Sequence, residues 1–87
     1  MWSEAGIQFR SNLLLEPGAS IQLHAHSYDH VAMLLRGVFD AVEVTPDGER
    51  KQSRLTAPQR ITIPAGHQHG FTLLEGDLGE VLCMWGA

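Results

Sequence analysis

The chain has 87 residues, enough for a single domain spanning 1–87, and its one cysteine, Cys83, excludes an internal disulfide. Its net charge of −4 and its scattered Lys and Arg residues offer no basic stripe for nucleic acid. No apolar run approaches the roughly 20 residues that span a bilayer, and Met1-Trp2-Ser3-Glu4 lacks a signal's basic and apolar stretches, so a cytoplasmic protein with no membrane partner is expected.

In chain order, an apolar run over 12–16 stops at Pro17-Gly18, a pair suited to the central positions of a type II turn. Over 20–26 the residues alternate, with Ile21, Leu23 and Ala25 on one face of a predicted strand and Gln22, His24 and His26 on the other. Ser27-Tyr28-Asp29 suggests a tight corner. His30 then opens a second run, 31–36, ended by Gly37. Alternation resumes over 38–44, with Phe39, Ala41 and Glu43 opposed to Val38, Asp40, Val42 and Val44. Pro46-Asp47-Gly48 marks a turn. A polar outer strand over 50–56, a short β-branched segment over 60–63, and apolar segments over 71–74 and 81–85 complete the series. No stretch carries a helical apolar period between good caps. Short strands at this spacing predict an all-β sandwich or barrel.

The five histidines are clustered: His24, His26 and His30 within seven residues, His67 and His69 within three. A lone strand histidine is usually a solvated or hydrogen-bonded residue. Two on one strand face, a third opening the next strand and a fourth after the Pro64-Ala65-Gly66 turn instead read as a transition-metal site. His67 is read as a loop residue that at most supports the ligands.

These residues carry a resemblance. Gly18, His24, His26, His30 and Gly37 match the spacing of the first cupin motif, G-x5-H-x-H-x3-E-x6-G, and Pro64-x-Gly66-x-x-His69 resembles the core of the second. The resemblance implies an all-β double-stranded β-helix, the cupin jelly-roll barrel. It also implies that His24, His26, His30 and His69 ligate one divalent transition metal per chain, whether Fe, Mn, Ni, Zn or Cu. The chain departs from the pattern at three places: His30 replaces the usual Glu, Leu73 falls where an Asn is common, and Pro58 where a Gly is.

Four neutral imidazoles leave a divalent ion its full charge, which favours an anionic ligand. Asp29, Glu75 and Glu80 are the candidate bases, although solvated charge is their ordinary role, and Phe39, Phe71 and Met84 are candidates to fill the core or line a pocket. Three functions fit: a metal-dependent oxygenase, isomerase or lyase acting on a small anionic or sugar-like molecule, a non-catalytic small-ligand binder, or a metal that only staples a small barrel. A domain this size buries only roughly 60–65% of its unfolded surface. A homodimer is therefore expected, with Trp2, Phe9, Leu13 and Leu15 nearest the partner.

Overall fold

The computed structural model describes residues 2–4 and 7–86. Seven strands form: β1 (Trp2–Glu4), β2 (Ile7–Leu14), β3 (Ser20–His24), β4 (His30–Val44), β5 (Arg50–Thr56), β6 (Gln59–Ile63) and β7 (Gln68–Gly86). All pairings are antiparallel, and no helix occurs among the described residues.

Two segments that read as separate strands on either side of Gly37 are one strand, β4, and the segments over 71–74 and 81–85 are likewise parts of one strand, β7. The glycines bend these strands instead of ending them. β4 and β7 run side by side along most of their length, and their register slips between Leu34 and Phe39. Gly37 lies there at φ 105°, a left-handed backbone that side chains resist, and a Cβ on it would come 2.8 Å from Leu73 Cδ1.

Beyond the bend, the two strands change neighbours. The first half of β4 lies between β6 and the second half of β7, which in turn pairs with β2 and, through it, β1. The second half of β4 lies between β5 and the first half of β7, which pairs with β3. The sheet thus folds into two leaves joined through β4 and β7.

The inner faces of the leaves share one core. Leu14, Ala32, Leu34, Ile63 and Val81 come from the first leaf, and Phe39, Phe71 and Leu73 from the second. Phe39, Leu34, Leu73 and Val81 are the largest fully buried side chains, each worth about 1.5–3 kcal/mol in transfer free energy. Leu73 is thus a core residue, which explains why an apolar side chain suits this position. Along β7 the inward positions run from His69 through Phe71 to Leu73, so the histidines cap the core at the end away from the bend.

Candidate metal centre

The site is assembled from three segments. β3 and its exit supply His24 and His26, the start of β4 supplies His30, and the start of β7 supplies His69. One hydrogen bond ties these segments together: Gly66 N–H donates to the His26 carbonyl at 2.9 Å. A second is made by Asp29, whose carboxylate accepts from Ala65 N–H at 2.7 Å. Asp29 therefore fastens the corner before His30 to the turn before His69.

Simple alternation along 20–26 does not survive in the structure. Ile21 pairs with Phe71 and His24 with His69, so three steps on β3 span two on β7. This bulge adds a residue and turns both Ile21 and His24 inward, where alternation would oppose them. Gly70 makes room for it: a Cβ there would meet the Ile21 carbonyl oxygen at 3.0 Å and Leu23 N at 3.2 Å. β3 ends at His24, so His26 stands in the connection that follows, not on the strand face.

The rings still converge. Centroid separations are 4.3 Å for His24–His69, 4.9 Å for His24–His26, 5.1 Å for His26–His30 and 4.5 Å for His30–His69. One ligand atom from each of His24, His26 and His69 lies within 4.8 Å of the others, a group able to hold a metal ion. His30 falls outside that group, but its Nε2 is 3.2 Å from His69 Nε2. Two nitrogens bound to one metal at about 2.0–2.1 Å are about 2.9–3.4 Å apart, so this spacing suits a shared cation.

The protonation states favour ligation. His24 Nδ1 lies 2.7 Å from the Gln22 carbonyl, which accepts its proton and leaves Nε2 with a free lone pair. Burial, His24 and His30 push His69 down to about 4. Burial, followed by the charges of His26 and His24, lowers His30, and burial, His24 and Arg10 lower His26. His30 Nδ1 and His69 Nδ1 are buried without a hydrogen-bond partner. Backbone groups of Tyr28 and His67 pull the pKa of these two rings upward, against the net lowering.

The histidines form the floor of a cavity of about 630 Å³. Phe71 lines it, whereas Phe39 is wholly buried and Met84 lies on the opposite face of β7 from the lining residues Cys83 and Trp85. Alternation along β7 thus corrects the pocket role considered for Met84. Neither acidic candidate at 75 or 80 lines the cavity, and Glu75 pairs with Arg54. Sequence reasoning missed Arg10, Tyr28 and Trp85 in the wall, and Glu43, whose carboxylate meets His67 Nδ1 at 2.7 Å. Glu43 had one usable signal: it shares the inward parity of Phe39.

No family model matches the chain, and no curated protein matches it. Solved structures do. An oxalate oxidase in complex with glycolate superposes with a TM-score of 0.83 at 14% identity, covering 94% of this chain and 42% of that one. A cupin 2 conserved barrel domain protein from Rhodopseudomonas palustris gives 0.79 at 20% identity, covering 100% and 57%. RmlC from Streptococcus suis, in complex with dTDP-D-xylose, gives 0.78 at 21% identity, covering 93% and 44%. The chain spans 57% or less of the length of each of these three structures. The fold is therefore the all-β cupin barrel.

Proposed function

We propose that His24, His26, His30 and His69 hold one divalent transition metal per chain, and that this centre serves a metal-dependent enzyme acting on a small anionic or sugar-like molecule. The observation that carries the reading is the convergence of imidazoles from three chain segments on the floor of an open cavity. His30 joins the other three on the strength of its 3.2 Å spacing to His69. A bound metal would supply Lewis acidity, polarising a ligand oxygen.

The chain's own residues do the rest. Gln22 fixes the tautomer of His24 through its carbonyl, and burial holds His69 and His30 neutral. With no carboxylate among the four, the positive charge is left for the ligand to neutralise. The reading also draws on the solved neighbours: an oxalate oxidase with glycolate, an oxalate decarboxylase from Bacillus subtilis with Mn(II) centres, and a protein that holds a dTDP-sugar. A purely structural metal is disfavoured because His24 and His26 face the cavity instead of a closed shell.

Elemental analysis of protein purified without a His tag or added metal tests this reading. About one ion per chain is expected, with sharp loss in His30→Ala and His69→Ala and none in His67→Ala. Full metal content in a His24→Ala/His26→Ala double variant would overturn it.

A further inference from the structure

Above the histidines, the cavity wall includes a cation. Arg10 lies on β2 opposite Cys83, and it shares the inward parity of Asn12 and the buried Leu14. Among the described residues it is the one permanently charged side chain in the cavity lining, and no described carboxylate lines that cavity. Arg36 and Arg54 are paired with Asp77 and Glu75, whereas Arg10 has no ion pair among the described residues. Arg10 and Cys83, its partner on β7, both line the cavity. Gln8 and Asn12 flank Arg10 on the same face with uncharged hydrogen-bonding groups.

Beside this cation, on the paired strand, Trp85 belongs to an aromatic ladder. Tyr28 stacks on His26 at 4.8 Å and 18°, and on Trp85 at 5.5 Å and 25°. Both Tyr28 and Trp85 line the cavity. Arg10 pairs with Cys83, which pairs with Ala32, and His30 lies two residues before Ala32 on the same face. Two strand spacings, about 10 Å, thus separate the arginine's strand from that of His30. Cys83 and Trp85 of β7 lie between them on the same face. A single planar guanidinium among amides fits a carboxylate, which it can hold through two parallel bonds; phosphate sites more often gather several cations.

We propose that this cavity takes a small planar carboxylate, its anionic end held by Arg10 and its flat body against Trp85. This deepens the metal-site reading and rests on it for the ligand's other end. Arg10 is thus a specificity-determining residue, and the ligand class narrows from anionic or sugar-like to planar organic acids.

The test uses benzoate, its neutral isostere benzamide and the ringless acetate, titrated calorimetrically at pH 7.5 into protein as isolated and after chelation. Benzoate is expected to bind more tightly than the other two. Arg10→Gln, an exposed position with little folding risk, should weaken benzoate about tenfold or more, a charge-assisted hydrogen bond's worth. Benzamide binding and metal content should not change. Trp85→Leu should narrow the gap between benzoate and acetate. No benzoate binding, equal binding of benzamide, or benzoate affinity untouched by Arg10→Gln would each overturn the proposal. Metal assayed on the same samples separates the two readings. Metal-free protein that loses benzoate on Arg10→Gln supports the anion site and refutes the metal. Metal-replete protein indifferent to Arg10→Gln does the reverse.

Discussion

Gly70→Ala perturbs the device that brings His24 to its place. The added methyl would sit 3.0 Å from the Ile21 carbonyl oxygen, 3.2 Å from Leu23 N and 3.4 Å from Leu23 Cα. All three are backbone atoms, so no rotamer change relieves the crowding, unlike at Gly79, where the close atoms belong to the side chains of Leu73 and Phe39. Either the bulge flattens or β3 moves away from β7. Overpacking of this kind costs about 1–3 kcal/mol. For a domain this size each 1 kcal/mol lowers Tm by about 4–8 °C. Because His24 pairs with His69 just past the bulge, metal affinity should fall with stability, by about tenfold or more. Thermal melts by circular dichroism on chelated protein read the first effect, and calorimetric metal titration the second. Gly86→Ala, with nothing within 4 Å of its added methyl, is the control. A Gly70→Ala protein that matches Gly86→Ala in both Tm and metal affinity would refute the bulge's role.

Three further outcomes are expected. Chelated protein should lose stability as pH falls from about 6.5 to about 4: His69 is held down to about 4 when folded but returns to 6.5 when unfolded, so the unfolded state binds more protons across that window and stability rises with pH. The full effect is at most about 3 kcal/mol, and His69→Gln should flatten the curve of Tm against pH; an unchanged slope would contradict this. In holo protein, metal should be released over the same acidic range, since protons compete for the imidazoles; metal retained fully at pH 4.5 in the presence of chelator would count against ligation by histidine. We also propose a homodimer through the outer face of the first leaf, where Phe9, Met84 and Val31 align across three strands beside Leu82 and Met33, and Leu13 and Leu15 are 55% and 71% exposed. The side chain of Trp2, expected there too, lies outside the described residues. Leu82→Lys should yield monomers in sedimentation at micromolar concentration, and wild-type protein that is already monomeric would refute the dimer.

Much of this was legible in the sequence, because strand alternation, turn residues and fixed histidine spacings are local signals. The inward row Phe39, Ala41 and Glu43 follows from parity alone, while the turn Pro64-Ala65-Gly66 and the motif spacing point to His69. What escaped depends on contacts between distant segments. The first half of β2 was missed because its inward residues, Gln8, Arg10 and Asn12, face a cavity, so the apolar Ile7 and Phe9 point outward and the pattern is inverted. The bulge in β3 has no local marker, and the residue that permits it, Gly70, stands about fifty positions away. Gly37 read as a strand end, since a glycine that bends a continuing strand looks the same as one that stops it. Tyr28 and Trp85 became a wall only when folding stacked one on the other.

The proposed centre requires four imidazoles to share one metal ion. X-ray absorption at the metal edge, on untagged protein as isolated, counts them directly through the scattering pattern of histidine rings. About one ion per chain is expected, with four imidazole nitrogens at about 2.0–2.2 Å, falling to three in His30→Ala. A shell of oxygen ligands without imidazole scattering, or a spectrum that His30→Ala leaves unchanged, would contradict it.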